Sequence, residues 1–324
     1  MGLARGQIRI GISGWRYEPW RGIFYPEGLP QHGELEFASH QLPTIEINGS
    51  FYSLQLPESY RAWHDATPED FVFAVKGPRY ITHMLRLNDV EQPLANFFAS
   101  GPFALGSKLG PILWQFPPML PYKPDRFAAF LALLPHDTEA GIALAKRHDR
   151  RLEGRNWLEV DQHRPLRHAI EIRHPTFIDA EFIDLLREHG VALVVADTAG
   201  RWPLMEDLTA DFVYIRLHGD EELYASGYAN AALGRWARRI DLWSRGGQVG
   251  DAQRVSPHDP ARRLRRDVFC YFDNDVKVHA PYDAARLAAQ LGLPTGLGVG
   301  QHLAPPQREP RARAPAFTVR QRRG

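Results

Sequence analysis

The sequence has one cysteine, Cys270, in 324 residues, which excludes an internal disulfide framework and every multi-cysteine zinc or iron–sulfur centre. A lone cysteine fits a reducing compartment, and the cytoplasm is the expected location. No stretch approaches the roughly 18 consecutive apolar residues of a spanning helix, and residues 1–6 lack the apolar core of a signal peptide. No membrane partner is expected. Charge of one sign is missing too: 39 Lys and Arg face 38 Asp and Glu, a net of +1, which argues against a dedicated polyanion binder. With 44% hydrophobic and 24% charged residues, the composition is that of a soluble globular protein.

What is present is a rhythm. Short β-rich runs ending in polar residues occur at Ile8 to Ser13, Thr44 to Asn48, Phe71 to Lys76, Ile112 to Phe116, His168 to Arg173, Val191 to Asp197, Phe212 to His218 and Val268 to Asn274. Helical patterns separate them, at Gly33 to Gln41, Glu58 to Asp65, Pro93 to Ala99, Asp125 to Leu134, Ala180 to Glu188 and Ala231 to Ser244, and one follows the last strand at Asp283 to Leu291. The crossover from Asp197 to Phe212 is short and irregular. Eight βα units close most naturally into one α/β barrel with helices outside, a doubly wound open sheet being the alternative. The barrel is expected over residues 1–300.

Two insertions rich in Arg, His and Asp, about 138–167 and 246–267, each precede a strand. They are therefore expected on the face opposite the strand C-termini, as solvated decoration or a partner-docking surface. Residues 301–324 read as a disordered basic tail, with six Arg against one Glu from Pro305 onward. Such a tail could add nucleic-acid attraction. The glycines at 296, 298 and 300 follow a helix and precede none, so they read as an exit, not a nucleotide loop. The sequence assigns no oligomeric state.

Strand side chains alternate faces, so in a barrel one parity must be apolar toward the helices and the other lines the interior. With Val213, Ile215 and Leu217 outside, Tyr214, Arg216 and His218 turn inward. By the same rule Ile170 and Ile172 send Glu171 and Arg173 inside, Ile45 and Ile47 send Glu46 and Asn48 inside, and Lys76 and Gln115 follow. Five strands thus end in inward charged or amide groups, at the end where barrel active sites are built. Counting Glu46, Glu171 and Asp197 against Lys76, Arg173 and Arg216 gives a cluster able to neutralise itself. The adjoining loops carry Trp15, Tyr17, Tyr52, His83, His174, Trp202, Tyr224 and Tyr228. Cys270 reads as a small buried apolar residue.

Several ordered motifs accompany this pattern: Gly11 to Tyr17 (Gly-Ile-Ser-Gly-Trp-Arg-Tyr), Phe24 to Pro26, Glu46 to Tyr52 (Glu-Ile-Asn-Gly-Ser-Phe-Tyr) and Phe73 to Lys76 with Ile81 to His83. Further along come Gln115 to Pro118, Glu171 to His174, Asp197-Thr198, Tyr214 to Gly219 and Tyr271 to Asp275 with Asn274 inside it. From about Ile8 to Leu291 the chain resembles the DUF72, or YecE-like, family. The resemblance implies a (β/α)8 TIM-type barrel and names no reaction. That barrel is distantly similar to those of xylose isomerases and metal-dependent apurinic endonucleases, an analogy of fold.

The residue types suit several chemistries. Glu46, His83, Glu171, Asp197 and His218 offer ligands for a divalent metal, but Lys76, Arg173 and Arg216 crowd cations beside them and suit a small anionic, phosphate-bearing substrate better. In the metal-free reading, a carboxylate among Glu46, Glu171 and Asp197 is base or nucleophile, His218 or His83 exchanges the proton, and the arginines hold the anion. Asn48, Tyr52, Gln115, Trp15, Tyr224 and Asn274 complete the substrate contacts. The expected function is hydrolysis of a phosphate ester. A carboxylate-pair glycosidase and a non-catalytic nucleotide or nucleic-acid binder are the alternatives.

Overall fold

The structure, a computed structural model, describes residues 5–297. The basic tail expected at 301–324, with Gly298 and Gly300, lies outside the described residues. Eight parallel strands form a closed barrel in sequence order: β1 (Ile8–Ser13), β2 (Thr44–Ile47), β3 (Val72–Lys76), β4 (Leu109–Gln115), β5 (His168–Glu171), β6 (Ala192–Asp197), β7 (Phe212–Leu217) and β8 (Asp267–Phe272). Helices α1 (Glu34–Gln41), α2 (Gly49–Tyr52), α3 (Pro57–Asp65), α4 (Glu91–Ala99), α5 (Pro124–Leu133), α6 (Thr138–Ala145), α7 (Ala180–Glu188), α8 (Asn230–Ser244) and α9 (His279–Gln290) accompany them. β1 pairs with β8 from Ile8 opposite Val268 to Ile12 opposite Phe272, which closes the ring.

Alternation divides the core in two. Ile10, Ile45, Ile47, Phe73, Val75, Trp114, Ile170, Val213, Ile215 and Cys270 pack outward against the helices. Inside, Ala74, Ala169, Ala192 and Ala196 on β3, β5 and β6 leave room for Phe212, Tyr214, Phe269 and Tyr271 on β7 and β8. Small groups facing large ones fill the barrel interior. The fill turns polar upward: the Tyr271 and Thr44 hydroxyls are 2.8 Å apart, and Tyr214 donates to Glu46 Oε2 at 2.6 Å. Both groups are buried, so their hydroxyls need these partners.

No helix joins β6 to β7. Glu206 and Asp207 of that crossover instead accept backbone N–H groups of Gln253, Val255 and Ser256, so the 246–267 insertion docks there. It is not the wholly solvated decoration expected, since Ser256 and Arg266 are buried in it.

The 138–167 insertion needs a larger correction. It begins with α6, capped by Asp137, which accepts from Ala140 N at 2.8 Å. It then climbs toward the start of α4, where Gln92 donates to Arg147 O and Asn96 to Asp149 Oδ2. Arg151, Leu152 and Arg155 end beside Tyr52, lining a groove of about 310 Å³. The segment therefore reaches the strand C-terminal face. Those pairings with α4, invisible to local pattern, carry it there.

Candidate functional site

The top inner layer is built by the last inward residue of seven strands: Ser13, Glu46, Lys76, Gln115, Glu171 and Arg216, with Asp273 just past β8. On β6 this place falls to Ala196. Arg216 is the hub, closed to solvent. It donates to both oxygens of Glu46 (3.1 and 2.9 Å), to Glu171 Oε2 (2.7 Å), to Ser13 Oγ (3.1 Å) and to Asp273 Oδ2 (2.9 Å). Glu171 Oε1 also accepts from Gln115 (2.9 Å) and Arg173 Nε (2.9 Å). Buried charges persist when they are matched this fully. Burial alone would raise Glu171, yet Arg216 and Arg173 outweigh it and hold the carboxyl well below its usual range.

Several sequence expectations are corrected here. Asp197 lies on the outer parity of β6, where its carboxylate accepts from Tyr228 (3.2 Å), so it does not join the cluster. Asp273 takes its place, and three carboxylates still face three cations. Asn274 points away from the mouth, donating to Asp283 Oδ2 (2.9 Å) and Ser226 O (3.0 Å). Tyr228 and His174 serve the chain itself: the Tyr228 hydroxyl accepts from Gly219 N, and His174 Nδ1 accepts from Thr176 N. Glu46, Glu171, Arg216 and His218 do converge, but as a sealed floor. His218 is buried with Nε2 3.3 Å from Arg216 Nη1 and Nδ1 3.0 Å from Asp273 Oδ2, the latter outside hydrogen-bond geometry.

Above that floor opens a cavity of about 740 Å³. Of the expected residues, Trp15, Tyr17, Asn48, Tyr52, Lys76, His83, Gln115, Arg173 and Tyr224 line it, joined by Arg16, Phe51, Trp63, Arg79, Asp273 and Asp275, which the sequence reading did not single out. Parity would have found Asp273, because Val268, Cys270 and Phe272 face the helices, and Ser13, because Ile8, Ile10 and Ile12 do. Gly14 lets the chain turn over the mouth at φ +80°, with Tyr17 Oη only 2.7 Å from where a Cβ would stand.

Charge around the cavity is uneven. Arg173 is fixed by Glu171 and by Trp202, whose ring centre is 3.8 Å from the guanidinium carbon. Arg16, Arg79 and Lys76 have no ion pair or side-chain hydrogen bond among the described residues. Burial, with Arg216 next, lowers Lys76 to about 8. Burial and then Arg173, Arg79 and Lys76 lower His83 to about 4, so it is neutral near pH 7 and does not donate an imidazolium proton there. Burial and the neighbouring Asp273 raise Asp275 to about 6. Asn48 Oδ1 is buried without a partner.

Among the described residues no group of three or more His, Cys, Asp or Glu side chains is placed to hold a metal ion. The set Glu46, His83, Glu171, Asp197 and His218 is split between floor, wall and outer face. Glu46 and Glu171 share one guanidinium below the cavity, and the carboxylates that line it are Asp273 and Asp275. No helix among the described residues is long and apolar enough to cross a membrane.

Fold and site together define a (β/α)8 barrel protein with a basic, aromatic mouth at the strand C-termini. The family model described as "Protein of unknown function DUF72" matches residues 9–309, and the chain belongs to that family. It is 30% identical over 126 residues to the UPF0759 protein YunF of Bacillus subtilis (strain 168), covering 37% of this chain and 44% of that protein. To the UPF0759 protein YecE of Escherichia coli (strain K12) it is 27% identical over 128 residues, covering 35% and 44%. The match thus spans less than half the length of these curated relatives. A DUF72 family crystal structure from Thermotoga maritima shares the fold at 23% identity and TM-score 0.66, over 88% of this chain and 99% of that one. Another, from Enterococcus faecalis, does so at 17% identity and TM-score 0.63, over 94% and 100%.

Proposed function

We propose that the barrel is a hydrolase of a small phosphate-bearing substrate bound in the mouth cavity. The observation that carries this reading is a pair of cations, Arg16 and Arg79, with no ion pair among the described residues, around one cavity whose floor already sets three carboxylates against Lys76, Arg173 and Arg216. A phosphate supplies the missing counter-charge, and Arg173, pre-oriented by Glu171 and Trp202, offers a fixed guanidinium edge. Trp15, Phe51, Tyr52 and Trp63 give the rest of the substrate an apolar wall.

The acid–base work then falls to Asp275 instead of Glu46 or Glu171. A group at about 6 exchanges protons efficiently near neutral pH. In its carboxylate form it takes a proton from the attacking water as the new P–O bond forms. The ester bond breaks with its electron pair on the leaving oxygen, which collects that proton from Asp275. The arginines balance charge on the phosphoryl oxygens.

Phosphate release from a panel of phosphomonoesters and phosphodiesters tests the proposal, with Asp275→Asn and Arg79→Ala as controls. Turnover lost in both variants supports it; absence of turnover across the panel, with phosphate failing to protect the protein from heat, overturns it. The competing reading, nucleic-acid binding without turnover, rests on the arginine-rich composition after Pro305. Binding that falls steeply with salt and disappears in a chain ending at Leu297 would assign that contact to the tail.

A further inference from the structure

Two lysines are buried in this protein, and they differ in one respect. Lys108, 5% exposed, directs its ammonium at three acceptors: His64 O at 2.5 Å, Thr67 O at 2.8 Å and Thr67 Oγ1 at 3.2 Å. That is how a buried lysine is stabilised as a structural element. The ammonium of Lys76, a residue 7% exposed, has no hydrogen bond and no ion pair among the described residues. Its Nζ stands 4.5 Å from the centre of the Phe51 ring and lines the mouth cavity.

The alternation of β3 explains the placement. Phe73 and Val75 pack outward, so Ala74 and Lys76 turn inward, and Lys76 is the last residue of the strand, where the packed interior gives way to the cavity. Of the six charged groups in this layer, Arg216 is matched by Glu46, Glu171 and Asp273, and Arg173 by Glu171. The amine is left over. The charge of this amine meets only the Phe51 ring directly and the more distant Glu46, Glu171 and Asp273, and burial outweighs them, so a fraction of the amine carries a free lone pair near neutral pH.

We propose that Lys76 is a carbonyl-capturing nucleophile, forming an imine with the aldehyde or ketone of an anionic substrate held by Arg16, Arg79 and Arg173. The neutral amine adds its electron pair to the carbonyl carbon. The carbonyl oxygen takes a proton, and the carbinolamine loses water to give a C=N bond. Hydrolysis with one water reverses the balance, so no oxidant or further reactant is needed. Asp275, on the same cavity wall and raised to about 6, receives and returns the protons, while Asp273, kept as a carboxylate by Arg216, supplies fixed negative charge. The positive charge of a protonated imine would replace that of the ammonium beside Asp273. This inference rests on the anion-binding reading of the cavity, but makes an amine the nucleophile where hydrolysis uses water.

The test is reductive trapping on the full chain. The protein is incubated with glyoxylate, pyruvate or dihydroxyacetone phosphate plus sodium cyanoborohydride near neutral pH, with acetone as the neutral comparator. Adducts are counted by intact mass and located by peptide mapping. The expected result is one reduced adduct per chain, on Lys76, formed roughly tenfold faster with the anionic carbonyls than with acetone. Inorganic phosphate should suppress it, and Lys76→Arg, which keeps a cation but no nucleophilic amine, should abolish it. Label spread over the exposed Lys123, Lys146 and Lys277, or unchanged in Lys76→Arg, overturns the proposal. Label on Lys76 at equal rates with acetone and the anionic probes keeps the imine and refutes the anion site. No label on Lys76, while phosphate still raises the Tm of the parent but not of Arg79→Ala, refutes the imine and keeps the anion site. Thermal unfolding of Lys76→Arg and Lys76→Met checks that both variants are folded.

Discussion

Arg216 donates to Glu171 Oε2 over 2.7 Å at a depth where neither side chain meets solvent. Removing one partner of such a pair leaves the other charged and buried. Arg216→Met would strand Glu46, Glu171 and Asp273 together, and a loss of about 3–5 kcal/mol is expected. Urea unfolding near neutral pH measures it; a midpoint equal to that of the parent would remove the hub from the account of the fold.

The same network sets the response to acid. Glu171 and Asp273 are held below the usual carboxylate range because Arg216 outweighs the burial that opposes it. In the unfolded chain these groups titrate near about 4, so below that pH the unfolded state binds more protons. The stability they confer is complete above that value and drains away as the pH falls toward their folded values. Urea midpoints taken downward from neutral pH should hold, then decline from about pH 5, and the decline should be shallower in Glu171→Gln.

Asp275 behaves in the opposite sense. Its folded value of about 6 lies above the unfolded one, so the folded state binds the proton more tightly. The stability this gives is present at low pH and lost as the pH rises through 6. Asp275→Asn is therefore expected to be more stable than the parent at pH 8 and closer to it at pH 5, by thermal unfolding. If Asp275 is the base for hydrolysis, kcat of the parent rises with a midpoint near 6, and the variant loses that limb.

Much of this site was legible because alternation forces it. On β7 the apolar Val213, Ile215 and Leu217 leave Arg216 one direction to point, and the same logic placed Glu46, Lys76, Gln115 and Glu171. The rule failed on β6, where Ala192, Val194 and Ala196 inside are as apolar as Leu193 and Val195 outside. Without contrast between faces, parity gives Asp197 no direction, and its polarity alone points it inward. On β8 the rule holds, and it selects Asp273, one residue before Asn274, as the inward group. Closure of the floor could not be read at all, since the distances from Arg216 to Glu46 and Glu171 depend on barrel geometry. The 138–167 segment reaches the mouth through bonds to Gln92 and Asn96, long-range contacts without a local signature.

Lys76→Met separates a functional lysine from a structural one. Its amine, lowered to about 8 from an ordinary 10.5 by burial, binds its proton less tightly folded than unfolded. Stability attributable to this group therefore rises as the pH climbs from 8 through the unfolded value, and at neutral pH the charged form is a cost. Methionine removes that cost at similar volume, and a gain of about 1–3 kcal/mol is expected. Lys108→Met should do the reverse, because it leaves His64 O and Thr67 O without the donor that satisfies them. Urea unfolding of the two variants side by side decides the matter: a loss of stability in Lys76→Met comparable to that in Lys108→Met would mean that the amine holds the barrel together, and the case for chemistry at Lys76 would fall with it.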